Sequence, residues 1–297
     1  MPNRISDDSS IEFLNRRRPS REERRATGAR RRVEVPLESL ALVPSHDERR
    51  DALGLIREQE VGRVNELLAL RYERMSIDPF AYLRGAATVM ASDLSLRPNS
   101  GISVQLCGDA HLANFGMFAS QERNLVFDIN DFDETNPGPF EWDVKRLAAS
   151  FAVAARHNGF SVAEQRAAAE RAAKSYRQWM AAFNDRSTLD VWFAKVDVDW
   201  MVAQLKKSDL RAALVKASDK ARRKNVDSAV SKLTEVVDGR RRFINSPPLI
   251  ERITGSEVTA IEELLAPVYA DYVSSLQFDR AALLARYSFV DFAFKVV

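Results

Sequence analysis

Apolar residues recur at helical spacing over two stretches in the middle of the chain. Val144, Leu147, Ala148, Phe151 and Ala155 form one stripe, closed by Asn158-Gly159. Ala169, Ala172, Tyr176, Trp179 and Phe183 form a second, opened by Ser161 and Glu164 at capping-box spacing. Asp143 stands where it can cap the first. Upstream, Ser45 with Glu48 predicts a helix from about His46 to Met75, stopped by Asp78-Pro79. Phe80 to Leu94 predicts another, closed by "RPNSG". Between these helical stretches the texture changes. "ISVQLC" is β-like, and "FGMFAS" and "LVFDI" flank the turn "QERN", so a strand, a loop and a hairpin are expected over residues 101–134. "ETNPGP" is expected to end the hairpin region. The rest reads as largely helical, with breaks near Asp197 to Trp200, Asn245 to Pro248 and Gly255. No internal repeat is visible. The fold class expected is α+β, a helical body built around one small β element.

Composition narrows the setting. The chain has 297 residues and 45% hydrophobic content, enough for a real core. It holds one cysteine, Cys107, so no internal disulfide can form, and three histidines, too few for a structural zinc site. No apolar run of 18 residues and no signal-type N-terminal segment is present, which disfavours a membrane partner and favours the cytoplasm. Net charge is +2 but uneven: residues 1–32 carry ten arginines against five acids, and residues 206–242 carry twelve Lys and Arg against five acids. Aromatics are sparse in both stretches, so a base-stacking platform for nucleic acid is disfavoured. Residues 1–44 read as a basic, flexible arm, and residues 45–297 as one lobe.

The candidate chemistry sits in "QLCGDAHLANFGMF". Asp109, His111 and Asn114 share one short loop, and the acidic segment "FDINDFDE" follows, with Asp128, Asp131 and Asp133. A polar turn capping its own backbone is the bland reading. The sharper one is phosphoryl transfer. A carboxylate orients a hydroxyl, while an amide oxygen and a second carboxylate hold Mg²⁺ against a triphosphate. Asp128 stands fourteen residues after Asn114 and Asp131 seventeen. Asp133 is a candidate for a second ion or a water. His111 either orients the loop or stands near the transferred group. Cys107 reads as a small buried residue, Arg84 as the partner of a core acid, Lys145 and Arg146 as a solvated or salt-bridged helix face, and "GRRRF" as a surface loop.

"GDAHLAN" resembles the "GD-x-H-x-x-N" loop of aminoglycoside and choline kinase-like phosphotransferases. "NDFDE" resembles their metal segment and "FEWDVKRLA" their following "D-L-A" helix start. The resemblance implies a protein kinase-like fold, with Asp109 in the catalytic role, Asn114 and Asp131 as metal ligands, and Asp143 bracing the catalytic loop. The spacing of such kinases favours Asp128 over Asp131 as metal ligand; the local pattern favours Asp131. Together with "DPFAYLRGAA" and "KLTEVVDGRRRFINSPPL", these motifs resemble the bacterial domain-of-unknown-function family 2252, over most of the chain after about residue 45. That family looks circularly permuted. Its glycine-rich loop and lysine are expected after a segment like "RYSFVDFAFKVV", so the nucleotide-clamp lobe is expected to be missing here, with weak or no ATP binding.

The implied function is an ATP- and Mg²⁺-dependent phosphotransferase with an unknown small-molecule or protein acceptor, in an incomplete or inactive form. Transfer of AMP uses the same carboxylates and stays open. A pseudoenzyme or binding module is the main alternative. A metallophosphoesterase ranks lower, because only His46 and His157 remain as further histidine ligands.

Overall fold

The computed structural model describes residues 19–206, 209–223, 226–253 and 257–295. The chain divides into two compact units, residues 1–201 and 202–297. In the first unit, α1 (Arg21–Glu34) lies inside the segment read as an arm. Ser20 and Glu23 close a capping box at its start, and none of its residues is buried. The stretch expected as one helix from His46 to Met75 is broken. A short 3₁₀ turn at His46–Glu48 precedes α2 (Ala52–Glu58), and α3 (Leu68–Met75) follows a left-handed Gly62 (φ 84°). Asp78 then caps α4 (Pro79–Gly85), accepting from the N–H groups of Phe80 and Ala81. The chain bends at Ala86 into α5 (Ala87–Ser95). Leu55, Ile56, Met75, Ala86 and Val89 bury one another in a core shared by α2 to α5.

Strand β1 (Ser103–Leu106) leads into the polar loop. Then β2 (Phe115–Ala119) and β3 (Leu125–Ile129) pair antiparallel, Gly116 opposite Asp128, around a turn in which Arg123 has φ 63°. Phe115 and Phe127 stack at 6.4 Å. "ETNPGP" does more than end the hairpin: β4 (Asn136–Pro139) pairs antiparallel with β1, Leu106 opposite Asn136. Two prolines fit because β4 has a single neighbour, so their missing N–H groups break no second ladder.

Helix α6 (Glu141–His157) starts two residues before Asp143, which therefore lies in the first turn and is not the cap. It packs along α7 (Val162–Asn184), whose start is the expected Ser161–Glu164 capping box. Phe140 stacks on Tyr176 at 6.1 Å. Trp179, expected on the buried stripe, is 47% exposed, because the last turns of α7 run beyond this packing. α8 (Thr188–Trp192) follows, and residues 196–197 join β3 through the bond from Phe127 N to Val196 O (2.9 Å) and a bridge from Asp197 to Val126. The break expected near Asp197 to Trp200 is the start of α9 (Val198–Gln204).

The second unit holds α10 (Asp209–Arg222), α11 (Val226–Leu233), β5 (Thr234–Val237), β6 (Arg240–Phe243), β7 (Ile250–Arg252), α12 (Glu257–Ser275), α13 (Phe278–Leu284) and β8 (Ala293–Lys295). "GRRRF" is the turn and second strand of the β5–β6 hairpin, not a loop. β8 pairs antiparallel with β7. The break expected at Gly255 lies outside the described residues. The architecture is mixed α+β, mostly helical with small antiparallel sheets. Among the described residues no helix is long and apolar enough to cross a membrane.

Candidate active site

The polar loop leaves β1 at Cys107 and is gripped at once by α6. Asp143 accepts hydrogen bonds from the backbone N–H of Cys107 (2.7 Å) and Gly108 (3.1 Å), one on each carboxylate oxygen. Gly108 sits at φ 85°, and a Cβ there would run into the backbone carbonyl of Glu134. Glycine thus serves two needs at this position: the left-handed turn, and the close approach of the acidic segment to the loop.

Asp109 is buried down to a side-chain exposure of 13%. Its Oδ1 accepts from Arg146 Nε (2.5 Å), and Arg146 Nη2 pairs with the same oxygen. Its Oδ2 lies 3.3 Å from His111 Nε2. Burial pushes the Asp109 pKa up, but the hydrogen bond from His111 and the charge of Arg146 outweigh it, and the net shift is downward. A weakly basic, ionised carboxylate suits orienting a hydroxyl better than removing its proton outright. His111 is itself buried, with Phe80 edge-on at 6.3 Å and its Nδ1 without a partner. Its contacts are to the carboxylate of Asp109 within the same loop and to the Phe80 ring.

Asn114, 6% exposed, ties the two halves of the site together. Its Nδ2 donates to the backbone carbonyls of Asp109 (3.2 Å) and Asp131 (3.2 Å), and its backbone carbonyl accepts from Asn130 N (2.9 Å). Asp131 is exposed, and its Oδ1 accepts from Asp133 N (3.1 Å). The backbone of Asp131 is therefore fixed beside Asn114. Asp128 lies up the hairpin on β3, its Oδ1 bonded to Ile129 N at 2.8 Å. Glu134 was not singled out from sequence. Its pKa is raised, first by partial burial and then by the charges of Asp109, Asp131 and Asp133, so the acidic segment and the loop both act on Glu134. Among the described residues no three His, Cys, Asp or Glu side chains form a ready metal cluster.

Cys107 is buried, with its pKa pushed up to about 11 by burial and by the Asp143 charge, which makes it an inert thiol. Arg84 is exposed; the guanidinium that meets a core acid is Arg146, at 3% exposure. Lys145 is half-buried, and burial lowers its pKa. Arg146, expected as a solvated or salt-bridged helix position, is salt-bridged but buried in the site, and sequence reasoning missed Ser150, whose Oγ accepts from Leu112 N (2.9 Å). The signal was present: Asp143, Arg146 and Ser150 recur at helical spacing on the face of α6 that the apolar stripe leaves free.

Residues 63–297 match DUF2252, a family of uncharacterised proteins conserved in bacteria. The chain belongs to this family. The DUF2252 match takes in every residue of the site, from Phe80 to Ser150. No curated protein and no solved structure matches the chain.

Proposed function

We propose that this DUF2252 chain carries the catalytic loop of a kinase-like, Mg²⁺- and ATP-dependent phosphotransferase. Asp109 orients the acceptor hydroxyl, and Asn114 with Asp131 holds the cation. One observation carries the reading. The buried Asn114 amide bonds the backbones of Asp109 and Asp131 at once, which puts the hydroxyl-orienting carboxylate and the metal-type carboxylate in one frame. The donors suit a hard cation. Nδ2 is taken up by the two carbonyls, so Oδ1 of Asn114 is left as an acceptor, while Asp131 is bonded to this amide by its backbone and has an exposed side chain. Mg²⁺ keeps several waters and takes only one or two carboxylates alongside phosphate oxygens, so it needs no cage of three protein ligands. When bound, it would neutralise charge on the phosphates. The tie to Asn114 favours Asp131 over Asp128, and Asp133 supports Asp131 through its backbone N–H.

The same residues serve transfer of phosphate or of AMP. A second reading, a binding module without turnover, draws on a specific observation: both oxygens of Asp109 are already engaged, by Arg146 and His111. Two measurements test the proposal. Mn²⁺, a paramagnetic stand-in for Mg²⁺, should broaden the amide NMR signals of Asn114 and Asp131 first, and Asp131→Asn should abolish the effect. Broadening centred elsewhere would sink the metal assignment. Incubation with ATP labelled at the γ- or the α-phosphate then separates phosphate transfer, AMP transfer and no transfer, the last favouring the binding module.

A further inference from the structure

The motif "DPFAYLRGAA" is left over by the proposed site: none of its residues is a candidate ligand or base. Its contacts lead into the site nonetheless. The ring of Phe80 lies edge-on to His111 at 6.3 Å. The carbonyl of Leu83 accepts from Arg146 Nη2 at 2.8 Å. The carbonyl of Gly85 accepts from Arg71 Nη2 at 3.2 Å, and a Cβ on Gly85 would meet the Met75 side chain. Two guanidinium groups thus reach carbonyls in the electron-rich last turn of α4, where the Leu83 carbonyl also accepts from Ala86 N (3.2 Å).

We infer that Arg146 is the positioning residue of this site, fixing Asp109 through one carboxylate oxygen and tying it to the end of α4, so that Oδ2, which meets His111 Nε2 with one lone pair, presents its other lone pair to an acceptor. The inference rests on the phosphotransferase reading for the word acceptor, but on geometry for the rest. Arg146 is held on all sides. Nε and Nη2 converge on Asp109 Oδ1, Nη2 also reaches Leu83 O, and Nη1 lies 3.9 Å from Met90 Sδ. An arginine placed only to neutralise a carboxylate commonly takes both oxygens in a parallel fork. Here the guanidinium takes one and leaves the other to His111 Nε2. With Nε2 as the donor, Nδ1 is a buried acceptor facing no donor, an arrangement retained at a cost. Three residues earlier on α6, Asp143 holds the backbone of the same loop. One helix therefore sets both the path of the loop and the angle of its carboxylate. Lysine cannot replace this, because a single ammonium lacks the planar fork that spans Asp109 and Leu83.

The test uses the full chain and variants Arg146→Met and Arg146→Lys. Carboxyl ¹³C NMR follows the titration of Asp109, assigned through Asp109→Asn. In the native protein Asp109 should titrate below the ordinary aspartate range, and in Arg146→Met it should move upward. An unchanged titration in a folded Arg146→Met protein overturns the inference. Should that variant fail to fold, the native protein still decides. The Arg146 Nε–H should exchange slowly with solvent, and quickly in Asp109→Asn; rapid exchange in the native protein overturns the inference. Where transfer from labelled ATP is measured, Arg146→Lys should lower kcat about 10²-fold with KM unchanged, the mark of lost positioning. A fall in KM-linked binding with kcat intact counts against positioning. Titration as expected with no transfer under any condition sinks the phosphotransferase reading and leaves the positioning geometry standing.

Discussion

Asp143→Asn separates two accounts of one residue. If Asp143 only places negative charge in the first turn of α6, its replacement costs the dipole term, about 0.3–1 kcal/mol. The structure gives it more to hold. Its two oxygens accept separately, from Cys107 N at 2.7 Å and Gly108 N at 3.1 Å. In asparagine one of those oxygens becomes an NH₂ group facing an N–H. One bond is lost and a partly buried donor is left unsatisfied, at about 1–3 kcal/mol. The other bond loses its charge assistance, which adds roughly 1 kcal/mol. The expected loss is about 2–4 kcal/mol, with Asp143→Ala no more than modestly worse. Urea denaturation followed by tryptophan fluorescence is suited to this, because all four tryptophans (142, 179, 192 and 200) lie in the first unit. A loss below about 1 kcal/mol for Asp143→Asn would fit the dipole alone and refute the bracing argument.

Three other outcomes follow from the same geometry. Gly108→Ala should cost clearly more than Gly159→Ala in the same melts. Both glycines have positive φ (85° and 77°), worth about 1–2 kcal/mol each, but a Cβ at 108 also meets the Glu134 backbone, while one at 159 meets nothing within 4 Å. Asp109 has a lowered folded pKa, so its contribution to stability is present above the unfolded aspartate value of about 3.9 and lost as pH falls through the lower folded value. Asp109→Asn should flatten the urea-midpoint curve over that acid range, and an unchanged acid limb would show that Asp109 is not the group responsible. Cys107, with a thiol pKa of about 11, should resist iodoacetamide at pH 8 until urea opens the unit; rapid labelling of the native protein would contradict its burial.

The α6–α7 pair was legible because apolar period and capping signals agree there, and the β2–β3 hairpin because a polar turn separates two apolar runs. The misses have physical causes. Ser20 and Glu23 form a capping box for α1, but the helix is polar all round and offers no apolar stripe to read. "NPGP" carries turn chemistry, and only its pairing with β1, set by long-range closure, makes it a strand. β8 pairs with β7 across more than forty residues, a contact no local pattern encodes. In the site, the loop residues were visible as a cluster of types, and their grouping of Asp109, His111 and Asn114 is seen in the contacts. Arg146 was expected on a solvated or salt-bridged helix face; it is salt-bridged, and what the local pattern could not give was its partner or its burial. A buried arginine is stable only with a partner, and Asp109 lies 37 residues away in sequence.

The pairing of β4 with β1 has a consequence for motion. Leu106 faces Asn136, so residues 107–135 form a single excursion between two hydrogen-bonded strands. The candidate residues Asp109, His111, Asn114, Asp128, Asp131 and Asp133, with Glu134, all lie on that excursion, while Asp143 and Arg146 grip it from outside on α6. Outside the ladder the excursion is held by Asp143, Arg146 and Ser150 of α6 and, at β3, by Val196 and Asp197; only when these release together does the loop with its hairpin open as a unit while the ladder at its base stays closed. Amide hydrogen exchange across residues 107–135 should then share one opening free energy, lower than that of the β1–β4 ladder. Anything that binds the acidic segment would slow exchange at Gly108 and Asp109 as well, even without touching them.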